Sequence, residues 1–565
     1  MKLIITYVFL LSFHIVFAQN LEDNDQIIKL TYHEYRDGKK VQGSEFTMKH
    51  FNQVAYFSKS NSKFLYYQDF RIKQNVDIIN YEEVLYKALK SFDSLPKPSL
   101  NDNKERILDY ECKYASFTSF SNKIEVWYTE EAKAKGSPYR SYIPNENSLV
   151  LKIVVNGDYT LLADSIEKLA NQEIIYYPLD KAKEVSSSEF AELSIKSKYI
   201  TLSVFDEETI NFDYDIRVPD MKNLQTDYTY HFSKGTIILK KIRLPKINKS
   251  GSQVFAKLTS WSNGDAYDRT GTVFIIPNSN NNEISMLNAL QDSIEVLPVY
   301  KDNSGNEYQG IVMEENYMPP IEIMRFFTSF GVRHFNKLRV INNYPWKEAV
   351  VYKQDVTALI PDNQDEIWIG VFIGNYDKGG HKVSLELNFY PAFEEREQFV
   401  KWIKPIFNTV NIMEMSGQNY GKLFKNDTLK VIFKLPENIN NPKLLYTTTG
   451  HGGWGNGDEF NPKLNQIFID GKQIFKVVPW RTDCATYRFC NPASGNFSNG
   501  ISSSDLSRSN WCPATLTPPY FIPLNNIIKG KHILEVVIDQ GDDEGNSFNH
   551  WSISGVIVGD ILISE

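Results

Sequence analysis

Three short runs carry the residue types needed to hydrolyse a polar, neutral bond. They are Asp265-Ala266-Tyr267-Asp268-Arg269, Gly457-Asp458-Glu459-Phe460 and Ser507-Arg508-Ser509-Asn510-Trp511-Cys512-Pro513. One carboxylate can take a proton from water while a second acid returns one to a leaving group. A guanidinium holds a developing oxyanion in a planar fork, and an indole lies flat on the C–H face of a sugar. Each run also has a plainer reading. An Asp beside Tyr and Arg at a turn is usually a structural salt bridge, and Arg269 and Arg508 can equally tie two domains together. Glu459 follows the Gly-rich run Gly450-His451-Gly452-Gly453-Trp454-Gly455-Asn456-Gly457 and can be a solvated loop residue, although that run would also let the backbone approach a bulky ligand.

Long strands and turns must position these runs. A chain of 565 residues is expected to form three domains. Its 35 Phe and 32 Tyr within a 42% hydrophobic composition favour strands. A net charge of −8 provides no basic face for nucleic acid. Met1-Lys2, an apolar run over 3–17 and Ala18 before Gln19 read as a signal peptide over 1–18, too short to span a bilayer. No later stretch is apolar enough to enter a membrane, so the mature chain is expected to be secreted or periplasmic.

The four cysteines, 112, 484, 490 and 512, fit an oxidising compartment, with Cys512 pairing with Cys484 or Cys490. The nine histidines are scattered without an H-x-H or H-x-x-x-H pair, and neither a G-x-S-x-G run nor a P-loop is present. No metal or cofactor is therefore inferred.

Residues 19–197 read as a β-rich N-terminal accessory domain, with alternations such as Lys123-Ile124-Glu125-Val126-Trp127-Tyr128. Over 198–391, strands are predicted at 200–204, 235–242, 254–258, 272–276, 348–352, 367–373 and 383–389, the pattern of an eight-stranded antiparallel jelly roll, with 278–310 as an inserted loop. Residues 392–407 lack strand alternation and read as a connector with a helical turn or two. Over 392–565 the strand pattern returns as a second jelly roll, at 429–434, 443–449, 466–469, 532–538 and 553–562. The fold class is thus all-β, two consecutive jelly rolls behind a β-rich domain.

Taken in order, the three runs resemble the peptide-N-glycosidase F family, bacterial amidases that cut the bond between an asparagine side chain and the first N-acetylglucosamine of an N-glycan. The resemblance runs from about residue 200 to the end of the chain. It implies that Asp268 is the principal catalytic aspartate, followed by Arg269, and that Glu459 is a second acidic residue ahead of the strand that begins Asn465-Gln466-Ile467. The family's R-x-x-W-C-P run is matched by Arg508-Ser509-Asn510-Trp511-Cys512-Pro513, and its G-W-G tryptophan by Trp454. Arg269, Arg508, Trp511, Trp454 and Asp458 become candidate substrate contacts, Asp458 replacing Glu459 if the register slips by one. Asp483, in Trp480-Arg481-Thr482-Asp483, is a weaker candidate for the cleft wall.

One family feature is missing. A third acidic residue should fall near Val371-Phe372-Ile373, which is apolar here, so either another group such as Asn375 or Asp377 takes its part or the role is absent. The resemblance implies an amidase acting on N-glycosylated proteins and peptides, releasing the glycan as a glycosylamine and converting Asn to Asp; nothing in the sequence demands more than a monomer. The rival readings are an endoglycosidase using the same two acids at the anomeric carbon and a glycan-binding protein without chemistry. The family's minimal enzymes lack the 19–197 block, whose expected role is gating, glycan or peptide binding, or stabilisation.

Overall fold

A computed structural model describes residues 26–58, 63–169, 175–220, 224–245, 252–277, 284–341, 345–390, 399–453 and 455–562. The signal-peptide reading and Trp454 lie outside the described residues. The chain divides into two compact units, Met1–Ser197 and Lys198–Glu565.

The first unit is built on one 13-stranded sheet. One arm runs from Phe46–Phe51 to Val84–Ser91 and the other from Ser99–Ile107 to Tyr159–Lys168, each as successive antiparallel neighbours. Ile28–Arg36 joins the arms by pairing with both Tyr159–Lys168 and Phe46–Phe51. Tight corners come from consecutive left-handed residues, as at Asp37-Gly38 (φ 48° and 73°) and Asn156-Gly157 (φ 54° and 85°). Two left-handed residues in succession are what a type I′ hairpin demands, and Asp-Gly and Asn-Gly meet that demand with little strain. Leu30, Tyr32, Met48, Phe57, Val126 and Ile153 bury the principal apolar cluster of this unit.

The second unit contains two sandwiches. Counted along the chain, the strands of the first are Ile200–Ile210, Ile237–Arg243, Gln253–Ser262, Thr270–Ile276, Ile321–Phe327, Val350–Asp355, Glu366–Ile373 and His381–Tyr390. They lie in the order first, eighth, third, sixth in one sheet and second, seventh, fourth, fifth in the other. That is the strand order of a jelly roll. The second sandwich repeats it with Phe399–Asn408, Leu429–Leu435, Ile439–His451, Asn465–Ile469, Lys472–Val477, Tyr520–Pro523, Gly530–Ile538 and His550–Leu562. Leu429–Leu435 alternates strictly between buried and exposed residues, so one face enters the core and the other meets solvent.

Three features differ from the reading of the sequence. Residues 399–408 form a strand rather than part of a helical connector, paired antiparallel with His550–Leu562. Its register shifts between Pro405 and Phe407, where a bulge absorbs the proline, and this break erases the alternation that would have marked it. The fifth strand of the first sandwich, Ile321–Phe327, is buried at every residue, so it carries no alternation either. Within the segment read as an inserted loop, 284–310 holds a short helix, Met286–Gln291, and a hairpin of Val299–Lys301 with Glu307–Gln309.

Ile321–Phe327 is also where the sandwiches meet. Leu516–Thr517, from the C-terminal half, extends the first sandwich's sheet by pairing with it. Val556 and Val558 of the second sandwich enter the first sandwich's core alongside Ile323 and Met324. Glu322 and Arg325, both fully buried, pair at 2.6 Å. Arg325 Nη1 donates to Thr449 Oγ1 and to Ser552 O, each at 2.9 Å, and Ser554 Oγ hydrogen-bonds to Glu322, so both charges are satisfied from across the interface. Removing one partner of such a pair strands the other charge in an apolar surrounding, at a cost of about 3–5 kcal/mol. Arg325→Met is therefore expected to lower unfolding free energy by about that amount, with Glu322→Gln added to it restoring most of the loss; denaturant unfolding followed by tryptophan fluorescence measures both.

Candidate active site

Asp268 sits in the turn from Gln253–Ser262 to Thr270–Ile276. Ser262 Oγ donates to Asp265 O at 2.6 Å, and Asp265 Oδ1 accepts from Tyr267 N at 3.0 Å, folding the turn on itself. Thr328, just beyond the neighbouring strand, holds both sides of Asp268. Its hydroxyl donates to Tyr267 O at 2.9 Å and accepts from Arg269 N at 2.7 Å, and its own N–H donates to Arg269 O at 2.9 Å. The backbone at Asp268 is thus fixed from both directions.

Glu459 comes from the second sandwich, in the loop that follows Ile439–His451. Its backbone N–H donates to Gly452 O at 3.3 Å, and its carbonyl accepts from Ser509 N at 3.0 Å. Here the Gly-rich run has a specific use. A Cβ on Gly457 would overlap the Gly452 carbonyl and the Gly453 backbone, so the two limbs of the loop close only because glycine occupies 457.

Arg508 joins the two acids. It is 1% exposed, and its Nη1 lies 3.1 Å from Asp268 Oδ2 while also binding Glu459 Oε1 directly. Nη2 donates to Ser503 O at 2.8 Å and to Ser503 Oγ at 3.1 Å. The guanidinium lies between two rings, 4.4 Å from the centroid of Trp511 and 5.1 Å from that of Phe460. Arg508 Nε is buried without a hydrogen-bond partner, and the buried Asp268 Oδ2 has the ion-pair contact with Arg508 Nη1 and no hydrogen bond besides.

The electrostatics follow from placing two acids on one cation. Burial raises the Asp268 carboxyl above its ordinary value, although Arg508 pulls it down. Burial likewise raises Glu459, against the pull of Arg508 and with the repulsion of Asp268 added, to about 7. Arg269, paired with Asp265, adds a weaker downward pull on Asp268. At Asp265 itself the burial cost is outweighed by the nearby His381, whose Nε2 lies 3.7 Å from Oδ2, and by the hydrogen-bonded Arg269, which together hold Asp265 down to about 2. Asp268 and Glu459 therefore share the Arg508 charge in a buried setting, and both carboxyls hold their protons to higher pH than they would in water, Glu459 to about 7. Their side chains keep 16% and 18% exposure, enough to be reached from solvent.

The remaining candidates take other places. Arg269 pairs with Asp265, with Nε to Oδ2 at 2.8 Å, so its guanidinium stiffens the turn. Its outer face is covered by Tyr267 and Tyr376, whose rings are 60% and 54% exposed and were not singled out in the sequence. Asp458 points inward, accepting from the fully buried Trp551 Nε1 at 2.8 Å and from Gly541 N at 3.0 Å. Trp511 does not present a free face to a sugar. It is 3% exposed, stacked on Phe327 at 4.3 Å, and its indole N–H donates to Gly450 O at 3.0 Å.

Asn375 is buried with its amide donating to backbone, and Asp377 accepts from Gly379 N at 2.7 Å in a turn. Asp483 forms a fork with Arg481 at 2.9 and 2.6 Å. Beside it the Cys484–Cys512 disulfide closes the loop carrying Arg508, which settles the choice left open between Cys484 and Cys490 and leaves Cys490 as a thiol. Phe460 and Thr328 were missed because an aromatic after an acid and a threonine after a strand have no distinguishing pattern.

A folded-state pKa above the ordinary value near 4.5 means that the folded chain holds the Glu459 proton more tightly than the unfolded chain does. The stabilisation from that proton is present below the ordinary value and is lost as pH rises through about 7. Glu459→Gln, which mimics the protonated form, is expected to raise the melting midpoint by a few degrees at pH 8 and to match the parent at pH 4. A thermal scan at both pH values checks this, and a less stable variant at pH 8 contradicts it.

Three families match the chain. "Peptide-N-glycosidase F, N terminal" covers residues 201–389, "Peptide-N-glycosidase F, C terminal" covers 419–558, and "N-glycanase peptide, N-terminal domain" covers 42–191. No curated protein matches. The solved structure described as "Structure of PNGF-II in P21 space group" is 39% identical, with a TM-score of 0.81 over 94% of this chain and 99% of that one. The same protein in a C2 crystal form is 38% identical, with a TM-score of 0.75 over 96% and 99%. The structure of PNGase F from Flavobacterium meningosepticum, described as a glycosylasparaginase, is 15% identical, with a TM-score of 0.43 over 65% and 96%. The all-β architecture, the order of the matched regions and the identity along nearly the whole length agree: the chain belongs to the peptide-N-glycosidase F family, in the form that carries the additional N-terminal domain.

Proposed function

We propose that this N-glycanase hydrolyses the amide between an asparagine side chain and the first N-acetylglucosamine of an N-linked glycan, leaving aspartate and releasing the intact glycan as a glycosylamine. The observation that carries the reading is one buried guanidinium, Arg508, shared by Asp268 and Glu459. Asp268, ionised, takes a proton from water, whose oxygen attacks the amide carbon. The Arg508 Nε donor meets the developing oxyanion, replacing solvent with a fixed dipole. Glu459, protonated near neutrality, gives its proton to the departing glycosylamine nitrogen, which later loses ammonia in water. General base and acid steps of this kind each contribute about 10²–10⁴-fold. Asp265, Arg269, Asp458 and Trp511 act behind these groups as supports, and Trp454 is assigned to substrate contact on the resemblance alone.

The chain is further read as exported by the segment 1–18, then organised as an accessory domain (19–197) and two jelly rolls (198–391 and 392–565) that act as a monomer on N-glycoproteins and glycopeptides without a cofactor. The disulfide supports export, since such bonds persist in oxidising compartments. No described helix is long and apolar enough to cross a membrane.

Incubating a denatured N-glycoprotein with the purified chain in ¹⁸O water, followed by mass spectrometry, tests the reading. The expected result is heavy-oxygen aspartate at former glycosylation sites with the complete glycan released, and loss of about 10²–10⁴-fold or more of this turnover in Asp268→Asn. Peptides keeping one N-acetylglucosamine mean an endoglycosidase, and unchanged glycopeptides that still bind mean a glycan-binding protein.

A further inference from the structure

Two loops lead away from the site and are stapled to each other. The first, described over 328–341 and 345–347, begins at Thr328, which holds the Asp268 turn. The second runs from Cys484, bridged to Cys512, to Ser503, which binds Arg508. Phe330 N donates to Asn491 Oδ1, Ala493 N to Phe330 O and Lys347 N to Phe489 O, each at 2.9 Å. Arg339 Nη1 reaches Ser494 O at 3.3 Å, and the Arg488 guanidinium lies 5.2 Å from the Trp346 ring centroid. The loops thus form one ridge with a part from each sandwich, rooted in residues that support Asp268 and Arg508.

The first loop is held together without its aliphatic side chains. Phe335 turns inward, where a Cβ on Gly331 would meet its ring and Ala493. Asn336 Oδ1 accepts from Arg333 N at 2.9 Å, Asn336 Nδ2 donates to Lys347 O at 3.0 Å, and the Trp346 indole donates to Arg339 O at 2.6 Å. Polar bonds and one inward ring therefore set the loop's shape. Leu338, Val340 and Ile341 stand 75%, 79% and 49% exposed, and Phe489 and Ile501 of the second loop are exposed as well. Single exposed apolar residues need no explanation, but three within four positions, on a scaffold held by other groups, mark a contact surface. The same loop carries Arg333, Lys337, Arg339 and Lys347 and no acid, in a chain whose net charge is −8.

We propose that this ridge binds the unfolded polypeptide around the glycosylated asparagine, with Leu338, Val340 and Ile341 covering its apolar side chains and the four cations drawing its acidic ones. The inference rests on the amidase reading. A glycoprotein leaves the scissile amide in two directions, as sugar and as peptide. Sugar calls for polar groups and flat rings, whereas aliphatic side chains without a hydrogen-bonding atom suit the apolar residues that a protein exposes when it unfolds. Continuity with the site points to the same occupant. The ridge is rooted beside Asp268 and Arg508, so a peptide whose asparagine lies at those groups has its neighbouring residues within reach of it.

The test uses the full chain with Leu338→Ser, Val340→Ser and Ile341→Ser combined, and with Leu338→Met, Val340→Leu and Ile341→Leu combined as the apolar control. It measures kcat, KM and the melting midpoint, with one neutral glycan carried either by a denatured glycoprotein or by a short glycopeptide. The expected result for the serine variant is a KM raised about 10- to 100-fold for the denatured glycoprotein, with the short glycopeptide and the melting midpoint unchanged and the apolar control like the parent. An unchanged KM for the glycoprotein overturns the inference while leaving the amidase in place. So does an equal rise for both substrates, an equal loss in the apolar control, or a loss confined to sialylated glycans, which would give the cations to the sugar. Absence of glycan release from both substrates by the parent chain overturns the amidase reading itself, and the inference with it.

Discussion

A guanidinium withdrawn from water needs anions beside it, and Arg508, 1% exposed, is given two, one from each sandwich. Neither sandwich alone can build the site. The shared cation requires the loop of one to face the turn of the other to within a hydrogen bond. The structure meets that requirement with the buried Glu322–Arg325 pair, the strand Leu516–Thr517 that crosses from the C-terminal half into the first sandwich's sheet, and the Cys484–Cys512 bridge beside the Arg508 loop.

The arrangement costs stability where the chemistry is. Two carboxyls near one cation are both pushed by burial toward their protonated forms, and Asn510, within the R-x-x-W-C-P run, and Ala514, just after it, hold left-handed backbone at φ 67° and 70°. Such strain persists only if the surroundings over-determine it. Asn510 Nδ2 is tied to Thr448 O at 2.9 Å, Thr517 Oγ1 donates to Asn510 O at 2.7 Å, and Trp511 is packed between Phe327 and the guanidinium. The tryptophan is therefore placed to hold Arg508, with no free face of its own.

Much of this was legible in the chain before its coordinates. Strands such as Leu429–Leu435 and Glu366–Ile373 announce themselves by β-branched and aromatic content between turns, and the order of the three polar runs marked Asp268, Glu459 and Arg508. What stayed hidden has physical causes. Ile321–Phe327 is buried on both faces and carries Glu322 and Arg325 in its interior, so neither alternation nor hydrophobicity marks it as a strand. Phe399–Asn408 is interrupted by a proline bulge. The places of Trp511 and Asp458 depend on which way a side chain points in a loop, and spacing along the chain carries no such information.

The central claim is that Asp268 and Glu459 work as one proton-sharing unit on Arg508. A double-mutant cycle measures this directly, using kcat/KM for glycan release from one N-glycopeptide by the parent chain, Asp268→Asn, Glu459→Gln and the double variant. The account predicts that the double variant is no worse than the more damaged single variant, because either change already breaks the unit. Losses that multiply, as for two independent groups, would contradict it.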